Sequence, residues 1–240
     1  MELEMDIKFK ENEPVTIPYD YHAEVLSIIK NAVKNYSLND FERLFSWSLQ
    51  KTYCWSMSFI GSGFSDAGNQ LHINFRFLQD KDAFLFYSAL HDYDFSLNSR
   101  LFSRDFNLTR MSLSDEKKVS SKIRIRTVSN IVLAVESYET GKKKYLEKFN
   151  TLVFKDSLEN KIKSAGKEYE YLLKYVDDLA IVPLNEQTRW NSLYGTKIPT
   201  ISGEFIVVGN KDLVNFMLNS GIGQETGSGF GLAKVVQAFD

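Results

Sequence analysis

The sequence predicts an α+β protein in which helices cover one face of an antiparallel sheet, and it predicts that unit twice. Three observations carry the prediction. Strand-like and helical runs follow one order before residue 114 and a comparable order after residue 121. The 18 Phe and 12 Tyr fall in many short apolar runs, as half-buried strands require. A polar stretch of Ser, Asp, Glu and Lys, Ser114–Ser121, separates the halves, so the expected domains are residues 1–118 and 119–240. The halves share element order but no sequence-level repeat.

In the first half, Leu3, Met5, Ile7 and Phe9 alternate with polar residues and read as a half-buried strand. Pro14 and Pro18 bracket a turn. From Tyr21 to Lys34 the residues Val25, Ile28, Ile29, Ala32 and Val33 keep helical spacing, with Asp20 as N-cap. Strands are expected at Leu44–Leu49, Thr52–Ile60 and Leu71–Leu78. Asp80 caps a helix to about Leu90, and Phe106–Leu113 reads as the closing strand.

In the second half, Ile123–Val128 and Ile131–Ser137 read as strands around a turn at Glu139-Thr140-Gly141-Lys142. Helical patterns span Thr151–Ala165 and Glu168–Tyr175. Strands are expected at Leu179–Val182, Arg189–Tyr194 and Ile201–Val208, then a short helix at Asp212–Asn219, a glycine loop and a last strand.

Composition narrows the function. The 29 basic and 31 acidic residues leave a net charge of -2, so any nucleic-acid site must be a local basic patch. The single cysteine, Cys54, rules out an intramolecular disulfide and a cysteine-built zinc site. The acidic start Met1–Asp6 lacks the pattern of a signal peptide, and no apolar run nears the ~18 residues of a membrane span. A cytoplasmic protein with no membrane partner is expected. The three histidines, His22, His72 and His91, fit no metal-ligand spacing, so neither a metal nor a cofactor is expected. His72 reads as sheet surface and His91 as a helix-end residue.

The densest local signal is Gly221-Ile222-Gly223-Gln224-Glu225-Thr226-Gly227-Ser228-Gly229-Phe230-Gly231, five glycines in eleven residues. So many glycines suit a chain that must take positive φ or approach a ligand closely, and freed N–H groups there could form an anion-binding nest. The nucleotide-binding loops do not fit. Thr226 stands where G-x-G-x-x-G needs glycine, and those loops run from strand to helix, the reverse of the order here. A second signal is Lys122, Arg124 and Arg126, whose period of two places all three on one strand face. Cations so arranged repel one another unless an anion bridges them. Arg189, Trp190 and Lys197 could stack on or clamp a nucleotide.

Together these stretches resemble one family. The G-I-G-x5-G-F-G run before a short apolar strand is similar to the C-terminal signature of the CRISPR-associated repeat-processing endoribonucleases, the sixth Cas protein family. Ile17-Pro18-Tyr19 ahead of the first helix, Arg43-Leu44-Phe45-Ser46-Trp47-Ser48, Arg126-Thr127-Val128-Ser129-Asn130-Ile131-Val132 and Ile198-Pro199 with Gly203-Glu204-Phe205 match family stretches in order. Asn130 stands where the family usually has proline. The resemblance implies two tandem ferredoxin-like (RRM-like) domains with antiparallel sheets. It also implies metal-independent cleavage of CRISPR repeat RNA, in which a ribose 2′-OH attacks the adjacent phosphate to leave a 2′,3′-cyclic phosphate and a 5′-OH.

Such a reaction requires in-line positioning, charge stabilisation on the phosphorane and proton transfer at both oxygens. Many family members place a histidine just after the first helix; here Lys34–Glu42 contains none. Arg43 matches a family basic position, Lys30 falls where some members carry a helix tyrosine, and His22 and Tyr36 flank the same helix. These four are the candidate catalytic residues. Lys122, Arg124, Arg126, Arg189, Lys197, Gly221, Gly223, Gly227, Gly229 and Gly231 are the candidate RNA contacts. Two other readings stay open: a member that binds repeat RNA without cutting, and a ferredoxin-like subunit of a CRISPR effector complex whose glycine loop serves protein contacts. A homodimer is equally open.

Overall fold

The alternation of Leu3, Met5, Ile7 and Phe9 builds strand β1 (Glu2–Phe9), whose inward residues are at most 2% exposed. This is a computed structural model, and it describes residues 1–45, 50–95, 100–115, 119–136 and 142–239. Helix α1 (Tyr21–Tyr36), helix α2 (Leu38–Phe45), strands β2 (Tyr53–Phe59) and β3 (Gln70–Phe77), helix α3 (Asp80–Asp92) and strands β4 (Arg100–Leu101) and β5 (Arg104–Ser114) follow. The sheet order is β2-β3-β1-β5-β4. Helix α1 buries Val25, Ile29, Ala32 and Val33 as its spacing predicts; Ile28 is only half-buried, and Leu26 is buried as well.

The strand expected at Leu44–Leu49 is corrected. Arg43, Leu44 and Phe45 end helix α2, and residues 46–49 lie outside the described residues. Ser37 explains the difference, because its hydroxyl accepts the Asp40 N–H at 3.3 Å. Ser37-Leu38-Asn39-Asp40 is therefore a helix start, and Leu38, Phe41, Leu44 and Phe45 keep helical spacing behind it.

The second half holds β6 (Lys122–Thr127), β7 (Ala134–Glu136), β8 (Lys143–Tyr145), helix α4 (Thr151–Ala165), a 3-10 helix (Lys167–Tyr175), β9 (Ala180–Leu193), β10 (Thr196–Val208), helix α5 (Lys211–Ser220) and β11 (Ala233–Phe239). Asn150 caps α4 by accepting the Val153 N–H, and Asn210 caps α5 by accepting from Asp212 and Leu213. The two strands expected at Leu179–Val182 and Arg189–Tyr194 are one strand, β9. Pro183 does not break it because β9 is the edge of the sheet and the register shifts beside it, between Glu204 and Phe205. The strand expected at Ile131–Ser137 shortens to Ala134–Glu136, since Ile131 and Val132 instead bridge to Ile201 and to Gly223 and Gln224. The turn expected at Glu139–Lys142 falls mainly outside the described residues, and Glu168–Tyr175 is a 3-10 helix rather than an α-helix.

The second sheet runs β11-β6-β10-β9. Counting main strands within each half, both sheets have the order 4-1-3-2, all antiparallel. This is the ferredoxin-like arrangement, twice, each with its own buried cluster. Among the described residues no helix is long and apolar enough to cross a membrane.

Polar groups tie the halves together. Arg76 on β3 donates to the Ala233 carbonyl at 2.8 Å while pairing with Glu2. Trp55 on β2 donates its indole N–H to the Gly227 carbonyl at 2.9 Å, and Ser129 donates to the Trp55 carbonyl at 3.1 Å. Strand β2 is an edge, and these contacts cover it.

Candidate active site in the interdomain cleft

The glycine run folds as an inter-unit gasket. Gly221, Gly223, Gly229 and Gly231 all have positive φ, and all are buried. A Cβ on Gly229 would stand 2.6 Å from the His22 ring and 2.8 Å from Trp55, and one on Gly227 would stand 2.6 Å from the Lys51 side chain. Gly221, Gly227 and Gly229 are therefore needed for close approach to the first unit, while Gly223 and Gly231 lie against Val132 and Ile222 of the second. Lys161 of α4, 1% exposed, organises the start of the loop from within by donating to the carbonyls of Ser220, Gly221 and Gly223 at 3.2, 2.7 and 3.0 Å. The expectation that Gly221, Gly223, Gly229 and Gly231 touch RNA is corrected, because protein atoms occupy their surroundings. Only the turn Gln224–Ser228 reaches an open surface.

That surface is a cleft of about 190 Å³ between the two units. Lys30 of α1 and Lys51, just before β2, line one side; Tyr194, Gly227 and Ser228 line the other. Lys30 also lies over the Phe45 ring, 5.6 Å from its centre. Tyr194 occupies the β9–β10 hairpin tip with φ of 49°, followed by Gly195 at 77°, the backbone a two-residue hairpin loop demands. The tip is anchored across the cleft: Gly195 donates to the Asp20 carboxylate at 3.1 Å, and the Tyr194 and Ser228 hydroxyls lie 3.0 Å apart. Asp20 thus holds the hairpin rather than capping α1 with its side chain.

Electrostatics distinguish the two lysines. Burial, then the positive charge of Lys30, pushes the Lys51 amine down to about 8, and partial burial also lowers Lys30. Lys143 at the cleft edge is different. Burial opposes its charge, but the Glu225 carboxylate 2.6 Å away outweighs that and raises it.

The remaining candidates lie elsewhere. His22 is 2% exposed, stacked against Tyr21 and Phe230, and burial pushes it down to about 4. It is a neutral interior residue, which corrects the expectation that it reaches the site. Arg43 and Tyr36 line an open groove along α1, α2 and α3, and Arg43 also lines a pocket that shares Gln50, Lys51 and Tyr53 with the cleft. Arg43 is held there by Asp40 at 3.1 Å and by the buried Asp82 at 2.8 Å. Burial works against its charge, and Asp82 then Asp40 outweigh it. His72 pairs with Asp6 on the sheet surface and His91 with Asp92 at the end of α3, as expected.

Lys122, Arg124 and Arg126 do share one face of β6, with Ile123 and Ile125 fully buried behind them. The anion that bridges the arginines is the protein's own. Both grip the Glu204 carboxylate, with Nε distances of 2.8 and 2.7 Å, and hold it below the ordinary carboxylate range. Lys122 lies over Phe239 instead. Arg189 and Trp190 are exposed on β9, and Lys197 sits over the Trp190 ring at 5.3 Å.

Sequence reasoning missed Lys51, Tyr194 and Ser228. The glycine run pointed at Ser228, but Lys51 and Tyr194 carry no local pattern. They enter the cleft through the packing of Lys51 on Gly227 and through the hairpin reach to Asp20.

The two tandem ferredoxin-like units, closed on a glycine-rich loop, have the fold of RAMP proteins. Residues 113–235 match the sequence model of a family described as CRISPR associated protein Cas6, C-terminal. The chain belongs to the Cas6 family of CRISPR-associated proteins. Solved structures agree in fold. A RAMP protein binding different RNA substrates is 17% identical, with 99% of this chain and 100% of that one covered and a TM-score of 0.77. The product of a Cas6-related gene from Pyrococcus furiosus is 14% identical over 99% and 98% of the two chains, TM-score 0.75. A Cas6 product complex is 17% identical over 98% and 99%, TM-score 0.73. No curated protein matches the chain in sequence.

Proposed function

We propose that this chain processes CRISPR repeat RNA by cutting it in the interdomain cleft, with division into units at residues 118 and 119. The observation that carries the reading is the pairing of Lys30 with Lys51 opposite the Tyr194 and Ser228 hydroxyls. Family membership supports the substrate class.

The RNA supplies the nucleophile. The 2′-oxygen attacks the neighbouring phosphorus and its proton passes to the Lys51 amine, which at about 8 is partly neutral near physiological pH. Charge on the phosphorane is met by the Lys30 ammonium and by the Tyr194 and Ser228 hydroxyls. The P–O5′ bond breaks and the leaving 5′-oxygen takes a proton from Lys30. The products are a 2′,3′-cyclic phosphate and a 5′-OH. Lys51 and Lys30 then return to their starting protonation by exchange with water. Arg43 and Tyr36 lie one groove away and serve RNA positioning in this scheme.

Incubating the protein with end-labelled repeat RNA in EDTA tests it. A cyclic-phosphate product that is lost in Lys51→Ala supports cutting by this site. Binding without cleavage would leave a repeat-binding protein in its place.

A further inference from the structure

The cleft continues into a second space that this mechanism does not use. A groove of about 690 Å³ lies between helix α4 and the β7–β8 hairpin, and it shares Gln50, Lys143 and Gln224 with the lysine cleft. A chain bound at Lys30 and Lys51 therefore has a continuous path into it.

Its lining is that of a nucleobase site. Val135 and Val153 supply apolar walls, and Asp156, Ser157 and Asn160 supply polar groups from one face of α4. Ser157 is 4% exposed, yet its buried hydroxyl has no hydrogen-bond partner. A buried hydroxyl without a partner is a group awaiting one. Asp156 and Asn160 are exposed to the groove and make no hydrogen bond or ion pair among the described residues. Gln224 donates to the Ala134 carbonyl at 2.9 Å, which fastens the hairpin wall to the glycine loop.

Two carboxylates line the groove, Glu136 of β7 and Asp156 of α4, and they decide what fits. Asp156 only accepts hydrogen bonds and repels phosphate, so the groove suits a base rather than the backbone. Single-stranded RNA is read by unstacking a base between side chains and bonding its edge. Among the four bases, guanine alone presents two adjacent donors, N1–H and N2–H2, to one carboxylate.

We propose that this groove binds a guanine base of single-stranded RNA next to the phosphate held by Lys30 and Lys51, with Asp156 accepting from its N1–H and N2–H2 edge. Ser157 and Asn160 hydrogen-bond the rest of the base. The proposal rests on the cleft being the RNA site, and it adds what that site reads.

Fluorescence anisotropy with short oligouridylates carrying a single guanine, adenine or inosine tests it. The guanine oligonucleotide is expected to bind about tenfold tighter than the adenine one, with inosine between them because it keeps N1–H and lacks N2–H2. Asp156→Asn, an exposed change that leaves the core intact, should erase the guanine advantage, so that the guanine and adenine oligonucleotides bind equally even if the lost charge tightens both. A wild-type protein indifferent to the base, or an advantage that survives Asp156→Asn, overturns the proposal. Cleavage of repeat RNA measured in parallel separates the two readings: cutting without guanine preference sinks this inference alone, whereas neither binding nor cutting sinks both.

Discussion

Lys161 donates its buried ammonium to the Gly221 carbonyl at 2.7 Å and so fixes the base of the glycine loop from the core of the second unit. Methionine at this position would fill the space but leave the carbonyls of Ser220, Gly221 and Gly223 without a donor. Lys161→Met should cost about 2 kcal/mol in urea unfolding. The pH dependence has a definite sign. Burial pushes Lys161 down to about 7 from the ordinary 10.5, so between those values the unfolded chain binds more protons. Stability should rise with pH in that window, on the order of 1 kcal/mol per pH unit, and fall away as pH drops toward 7. The variant should lack this component; identical profiles would mean that the carbonyls hold the ammonium charged throughout.

The two cleft lysines can be separated by their pH–rate profiles. Cleavage by the wild type should rise toward a plateau above about 8 as Lys51 loses its proton. Lys51→Arg keeps the charge but removes the base, so the rising limb should vanish and kcat fall by 10²-fold or more. In Lys30→Ala the like charge beside Lys51 is gone, and the limb should move to higher pH. An unmoved limb would show that another group titrates.

Glu204 masks two arginines. Glu204→Gln should release Arg124 and Arg126 toward solvent, tighten RNA binding at low salt and steepen its dependence on log[salt]. Arg124→Ala with Arg126→Ala should weaken binding and flatten that slope. If filter-binding curves of all three proteins share one salt slope, the β6 face does not meet phosphate.

Two glycines with similar φ predict losses of different size. Gly195 has φ of 77° and a Cβ there would meet open space, whereas Gly229 has φ of 92° and a Cβ there would stand within 3 Å of His22 and Trp55. Gly195→Ala should cost about 1 kcal/mol, the backbone term alone. Gly229→Ala should cost at least about 3 kcal/mol, because the aromatic contact between the units must open as well. Thermal unfolding that lowers Tm equally in both would refute the gasket role.

Arg43 neutralises Asp82, a carboxylate whose side chain is 3% exposed. Arg43→Ala should destabilise the protein by about 2 kcal/mol by stranding that charge, a value discounted because Arg43 itself is 40% exposed. Arg43→Ala with Asp82→Asn should recover most of the loss. A single variant that slows cleavage with unchanged stability would return Arg43 to the reaction itself.

The legible parts of the chain were those written in local periodicity. Period-two runs such as Leu3–Phe9 and Lys122–Arg126, and helical runs such as Val25–Val33, report which face is buried. Boundaries failed where a short-range signal was outvoted. Ser37 and Asp40 turned Leu38–Phe45 into helix although Leu44 and Phe45 look strand-like, and an edge position let β9 run through Pro183. The glycine run identified itself, yet its partners could not be read because His22, Trp55 and Lys51 are distant in the chain and meet it only by packing.

The sequence by itself determined the two helix-on-sheet units, the glycine-rich gasket and, through their order, the family. Each of these is a property of neighbours along the chain. Tertiary structure alone decided which charges are available. It buried His22, paired Arg124 and Arg126 with Glu204, locked Lys161 onto loop carbonyls, and brought Lys30, Lys51, Tyr194 and Ser228 to one cleft. A side chain's charge and reach depend on desolvation and on partners many residues away, and those are set only when the two units close on the loop.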